Sequence, residues 1–229
     1  MMAENDWAQP APEMLATARK RALGALQSQD AARKLARFYD TKTDYAGATI
    51  ATIGHNAPDS IGADDLFATT LLSVDVPAKA ARLLTGNGDT KAAVSSALRA
   101  LPLGPLEAVD ADGFAAMEVL YLHVKRSLAK ASAKSSNPWV VASKLCARKR
   151  PDLFPVRDNV VCRLLDVQRA RNFRIDWLVF QALMNDAEVS KALSSVRSAV
   201  EAQADDSVVL DTQPLRVLDA ALWTSVHMS

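Results

Sequence analysis

Apolar residues recur every three or four positions along most of the chain, which is the spacing of one face of an α-helix. The clearest stripe follows Asp110, an N-cap residue type, and consists of Phe114, Met117, Tyr121, Val124 and Leu128. Such a stripe is typical of a helix that packs into a core. Prolines, glycines and polar runs divide the rest of the chain into similar segments. The pattern predicts about ten helices, at about 12–27, 30–39, 64–74, 77–86, 90–100, 111–130, 137–149, after 158, at 175–185 and 187–203, and after 214.

Three stretches interrupt this pattern. Residues 1–10 are predicted to form a flexible tail. Residues 41–61 are polar and contain turn-forming residues, which predicts a loop, although the alternation over 48–53 would also allow a short strand. The run 130–137 is rich in lysine and serine, and we expect it to be a hinge between two lobes of one helical domain that covers 11–229.

The composition agrees with an all-α protein. Of the 229 residues, 49% are hydrophobic and only 8 are glycine, so the chain can build a sizeable core from strong helix formers. The 27 basic and 26 acidic residues exclude a protein that is basic all over. No apolar run approaches the roughly 20 residues that span a bilayer, and no export signal is visible, so we expect a cytoplasmic protein.

The metal-ligating residue types are few and scattered. The two cysteines, Cys146 and Cys162, cannot supply a four-cysteine zinc or iron–sulfur site, and we interpret them as buried thiols. The three histidines, His55, His123 and His227, have no ligand spacing. No cofactor fingerprint is present either. The sequence therefore predicts no metal and no cofactor.

Two further groups of residues receive mainly structural interpretations. Trp139, Trp177 and Trp223 could each stack on a nucleobase, but each lies in a helical pattern in which burial is the commoner use. Asp64 and Asp65 are adjacent residues at a predicted helix start, and adjacent side chains on a helix point apart. We therefore expect this pair to complement the helix dipole and not to act as paired carboxylates.

Basic residues are concentrated in one part of the chain. The span 144–174 holds nine basic residues and three acids, whereas the remainder from 175 holds three basic residues and eight acids. Positive charge beside a helix N-terminus suits a phosphate backbone. The alternative is that these charges pair with the acidic C-terminal helices. The candidate DNA contacts are Asn137, Lys144, Arg148, Lys149, Arg150 and Arg157.

The most specific motif is the passage from Ser143 to Val161, in which a helix leads into a bend bounded by Pro151 and Pro155. The bend presents Asp158 at the start of the next helix. This passage resembles the corresponding part of the helix-hairpin-helix DNA glycosylases, although their glycine-containing hairpin and iron–sulfur cysteines are missing here. The resemblance implies that Asp158 is catalytic and stabilises the cationic sugar formed when a flipped-out base leaves. The structural alternative is an aspartate that only caps its helix.

A second resemblance covers most of the chain, from about 35 to 225. The chain is similar to a bacterial family of unknown function that shares the glycosylase-like passage. The resemblance strengthens the expectation of a two-lobed helical fold and brings no established activity. Its markers, in order, are Phe38-Tyr39-Asp40, Asp64-Asp65-Leu66, Leu71-Leu72-Ser73-Val74, Pro77, the passage 143–161 and Leu215–Trp223.

Two functions follow from these observations. In the first, the protein binds double-stranded DNA through the basic helix and bend, and a catalytic Asp158 would make it a hydrolase of the N-glycosidic bond of a modified or damaged base. In the second, it is a non-enzymatic helical interaction module whose basic segment meets an acidic protein partner. Salt-sensitive DNA binding distinguishes the two.

Overall fold

The computed structural model describes residues 7–129, 137–203 and 205–228. Over these residues the protein is all-α, as the sequence predicts, with twelve α-helices and two short 3-10 turns. The β-type pairing described there is one isolated bridge, between Asp40 and Val208. The helices are α1 (Pro12–Leu26), α2 (Ala31–Phe38), α3 (Gly47–Ile50), α4 (Ala63–Thr70), α5 (Ala78–Thr85), α6 (Asp89–Arg99), α7 (Ala111–Leu128), α8 (Trp139–Lys149), α9 (Asn159–Leu164), α10 (Phe173–Asn185), α11 (Ala187–Gln203) and α12 (Pro214–His227).

Several helix ends follow from local capping chemistry. The Asp110 side chain accepts a hydrogen bond from the Gly113 amide and so caps α7, as predicted. The strand that the alternation over 48–53 would also allow is not formed. Residues 48–50 belong to the short helix α3, and a turn follows. The chain passes so close to Phe38 there that a Cβ on Gly47 would lie 2.3 Å from the Phe38 carbonyl oxygen, so only glycine fits.

The chain forms two compact units. Unit 1 consists of residues 1–48 and 157–229, and unit 2 consists of residues 49–156. The division therefore falls at 48/49 and 156/157, whereas the predicted hinge at 130–137 lies outside the described residues except for Asn137.

Unit 1 is assembled around α12, which packs against α1, α2, α9 and α11. Residues 7–10 of the predicted tail belong to it, while residues 1–6 lie outside the described part. Trp7 is buried, with its ring centroid 6.1 Å from that of Trp177 and the Arg174 guanidinium 5.0 Å from its ring. The tail prediction is therefore wrong at Trp7, because this large apolar ring packs onto α10.

Unit 2 is assembled around α7, which packs against α5, α6 and α8, while α8 also packs against α4. The apolar stripe predicted for α7 is confirmed. All five of its members are buried, namely Phe114, Met117, Tyr121, Val124 and Leu128.

Both cysteines are free and buried, as predicted. Burial raises the pKa of both thiols, that of Cys162 to about 12 and that of Cys146 still further. The unfolded chain releases its thiol protons near the ordinary pKa of 9.0, so above that pH it binds fewer protons than the native state. The native state consequently loses stability as the pH rises above 9.

We expect the two thiols together to remove about 2 kcal/mol of unfolding free energy between pH 9 and pH 10. Urea unfolding at each pH measures this loss. The variant Cys146→Ala/Cys162→Ala starts from a lower stability, but its loss over this interval should be about 2 kcal/mol smaller than that of the wild type. Burial lowers the pKa of Lys149, which changes the stability in the opposite direction, but this contribution is the same in both chains and cancels in the comparison. Equal losses of stability in the two chains would contradict the prediction.

Candidate functional site

The glycosylase-like passage forms a helix, a bend and a helix, as predicted. Helix α8 ends at Lys149, the bend contains Pro151 and Pro155, and α9 begins at Asn159. Helix α8 begins at Trp139, so Pro138 is its N-cap, where the sequence placed Asn137. The boundary between the units lies within the bend, so α8 is a part of unit 2 and α9 a part of unit 1.

At the end of α8, two basic side chains converge on one buried carboxylate. Asp65, in the first turn of α4, is 0% exposed, and Arg148 and Lys149 are 4% and 3% exposed. The Arg148 Nε lies 3.2 Å from Asp65 Oδ1, and the Lys149 Nζ lies 2.9 Å from Asp65 Oδ2. Asp65 Oδ2 also accepts from the Gly62 amide at 3.0 Å. Two cations therefore share a single acidic partner in the core of unit 2.

Backbone and amide oxygens of residues 50–57 accept further hydrogen bonds from the two cations. Arg148 donates to the carbonyls of Ile50 and Ile53, and Lys149 donates to Asn56 Oδ1 and the Ala57 carbonyl. Desolvation lowers the pKa of Lys149, and the hydrogen bond to Asp65 opposes this effect. These contacts fix an irregular loop to the end of α8.

The neighbouring basic residues are also used internally. The Lys144 Nζ donates to the Leu72 carbonyl at 2.7 Å and is buried. Arg150 is partly buried and binds Asp152 with both ends of its guanidinium, at 2.8 and 2.6 Å, while a third donor reaches the Pro102 carbonyl. Both side chains therefore connect α8 and the bend to other parts of unit 2.

In unit 1, the bend supplies a second buried ion pair. The Arg157 Nε donates to Asp176 Oδ2, in the first turn of α10, at 2.7 Å. Desolvation raises the pKa of Asp176, while the charge of Arg157 opposes that effect. No described residue donates a hydrogen bond to Asp176 Oδ1. This pair is structural, because both side chains are buried.

Asp158 caps α9, as the structural alternative predicts. Its Oδ1 accepts from the amides of Val160 and Val161, each at 2.9 Å, and the residue is 9% exposed. Its catalytic role stays a prediction.

The structure corrects the expected position of the positive charge. We expected a basic surface on α8 and the bend, but five of the six candidate side chains point inward and bind acceptors inside their own unit. A phosphate could bind them only by replacing these acceptors. Asn137 is exposed, and its carbonyl accepts from the Trp139 amide, so its role as a DNA contact stays a prediction. The inward-facing candidates are Lys144, Arg148, Lys149, Arg150 and Arg157.

The exposed part of the basic span lies further along the chain, in what we call the arginine segment (Arg163, Arg169 and Arg171). The Arg163 Nε donates to the Asn159 carbonyl of its own helix at 3.0 Å. The Arg169 side chain is 83% exposed and lies 3.9 Å from Asp166. Arg171 has a left-handed backbone with φ of 47°, and no described residue accepts from its side chain. These three guanidinium groups are accessible to an anionic partner.

The described residues contain no group of three or more histidine, cysteine or acidic side chains arranged to hold a metal ion. No helix in this part of the chain is both long enough and apolar enough to cross a bilayer.

Residues 31–226 match the model of a family of unknown function (DUF6308), so the chain belongs to that family. No curated protein and no solved structure matches the chain. The family assignment confirms that the chain belongs to a family of unknown function, while the bacterial origin of that family stays a prediction. The glycosylase-like character of the passage 143–161 stays a prediction.

Replacing Asp65 should strongly destabilise unit 2. In Asp65→Asn the buried cations Arg148 and Lys149 lose their shared negative charge, and breaking a buried pair in this way costs about 3–5 kcal/mol. Chemical denaturation of the full chain measures the cost. The matched control is Asp64→Asn, since Asp64 is the exposed neighbour and its Oδ2 accepts from the His55 amide. Equal losses of unfolding free energy in the two variants would show that the buried ion pairs stabilise unit 2 no more than an exposed carboxylate does.

Proposed function

We propose that this family member binds DNA through the arginine segment. The observation that carries the proposal is the presence of three exposed arginines within the nine residues 163–171, where Asp166 is the only acid. Arginine presents a planar fork of donors that matches phosphate oxygens, and each contact releases condensed counterions.

The distribution of the basic span supports this assignment. Five of the nine basic residues in 144–174 are used inside the units, and Arg174 lies against the ring of Trp7. The positive charge that is left for a partner is therefore concentrated in the arginine segment. The Arg21 Nη1 donates to the Leu164 carbonyl at 2.7 Å, which places a fourth guanidinium at the C-terminal end of α9.

Double-stranded DNA is the polyanion that we favour, because the adjoining passage 143–161 resembles that of DNA glycosylases. In this proposal Asp158 is the protein group that acts in hydrolysis of an N-glycosidic bond: the base leaves with the electrons of the C1′–N bond and takes up a proton, and a solvent water adds its hydroxyl to C1′ of the sugar. A carboxylate at that position would stabilise the positive charge that develops on the sugar as the base leaves. Its Oδ1 is already engaged by two amides, so Oδ2 is the atom that would face the sugar.

Salt dependence tests the DNA-binding proposal. Three phosphate contacts predict a slope of log K against log salt of about −3, and hence about a 40-fold weaker association with a duplex at 200 mM than at 50 mM salt. In Arg169→Glu/Arg171→Glu the affinity should fall at least about tenfold and the slope should shrink to about −1. Fluorescence anisotropy of a labelled duplex measures both quantities.

The matched control is Lys79→Glu/Arg82→Glu, which makes the same change of charge at two exposed positions on α5. It should alter the affinity far less, because these residues lie outside the arginine segment. Equal weakening by both variants would reduce the effect to net charge and contradict the assignment. Binding of a labelled polyglutamate but not of the labelled duplex would favour the alternative function, an acidic protein partner.

Asp158→Asn separates capping from catalysis. Asparagine caps a helix as well as aspartate does, so the free energy of unfolding should stay nearly unchanged, whereas Asp158→Ala should lose about 1 kcal/mol. If Asp158 is catalytic, base release from a panel of modified duplexes should disappear in Asp158→Asn, because the negative charge is gone. Base release at the wild-type rate in this variant would eliminate the catalytic role.

A further inference from the structure

Unit 1 carries a group of aromatic side chains at its surface that neither the ion pairs nor the arginine segment involves. Tyr45 follows α2, and Trp223 and His227 lie one turn apart near the end of α12, which packs against α2. We call these three residues the aromatic shelf. Tyr45 and Trp223 are half-buried, and His227 is exposed.

The rings of the shelf form a continuous row. The Tyr45 and Trp223 ring centroids are 6.1 Å apart with an interplanar angle of 75°, and those of Trp223 and His227 are 4.4 Å apart. Phe38, which is buried, supports the row from below, 6.0 Å from Tyr45 and 5.6 Å from Trp223. The row is therefore held in place by packing before any partner arrives.

A cation completes the row at one end. The Arg37 guanidinium carbon lies 5.8 Å from the centroid of the Tyr45 ring, and Arg37 is exposed. Rings that remain partly accessible beside an arginine are the usual platform on which the bases of an unpaired strand stack. We therefore expect the shelf to offer stacking, while the arginine segment of the same unit offers the attraction for phosphates.

We propose that the aromatic shelf stacks the unpaired bases of a nucleic-acid strand. The inference rests on the proposed DNA binding and extends it, since it names the part of the ligand that the arginines do not recognise. Stacking does not depend on the base sequence, because every base has a π face. The shelf should therefore favour an unpaired or opened strand over an intact duplex, without a sequence preference.

The experiment compares two oligomers of equal length and charge, a 12-nucleotide oligo(dT) and an abasic oligomer that has the sugar–phosphate backbone only. One stacked base should make the wild-type chain bind oligo(dT) about tenfold more tightly. Binding of oligo(dT) should also quench tryptophan fluorescence, because Trp223 would lie against a base.

Leucine replacements at the shelf keep apolar packing and remove the planar ring. In Trp223→Leu and Tyr45→Leu the tenfold preference should disappear, while the salt slope stays that of the wild type. Trp139→Leu is the matched control, since Trp139 is a half-buried tryptophan of unit 2 and its loss should keep the preference. Circular dichroism of each variant establishes that it is folded.

The outcomes separate this inference from the proposed function. If the wild type binds both oligomers equally, or keeps its preference in both leucine variants, the shelf does not stack bases, and salt-sensitive binding through the arginine segment still stands. If neither oligomer nor a duplex binds, the proposed function fails and this inference with it. Quenching by polyglutamate but not by oligo(dT) would assign the shelf to a protein partner and overturn the inference.

Discussion

The carboxylate of Asp65 holds the interior of unit 2 together. It lies fully buried between Arg148 and Lys149, and one negative charge serves two cations. The second cation has no acidic partner of its own. Carbonyl and amide oxygens of residues 50–57 carry no net charge, but they accept hydrogen bonds from both cations and so lower the cost of desolvating them. The loop 50–57, the start of α4 and the end of α8 are therefore joined by one set of polar contacts around Asp65.

The same arrangement explains why the basic span could not be interpreted correctly from the sequence. The helices themselves were predictable, because apolar spacing and capping residues such as Asp110 and Asp158 act over three or four positions. Whether the basic side chains face the core or the solvent was not predictable, because Asp65, the partner of Arg148 and Lys149, is more than 80 positions away in the chain. Helix α8 carries no local signal of this burial, because three of its buried residues, Lys144, Arg148 and Lys149, are charged.

Each unit contains an ion pair formed by an arginine of the bend or of the residues next to it. Arg157 pairs with Asp176 in unit 1, and Arg150 pairs with Asp152 in unit 2, so the charges nearest to the two prolines are used locally. Within the basic span 144–174, the arginines that stay exposed are Arg163, Arg169 and Arg171, and all three lie in unit 1. A net positive count over a segment therefore describes a binding surface only after the buried pairs have been subtracted.

The discontinuous make-up of unit 1 has a consequence for the order in which the chain acquires its structure. Unit 2 is one uninterrupted stretch and can close its core as soon as residue 156 has left the ribosome. Helices α1 and α2 are made first, but their packing partners α10, α11 and α12 are made last. During synthesis the apolar faces of these two early helices stay uncovered for more than a hundred residues, which makes them the natural contact for a chaperone on the nascent chain.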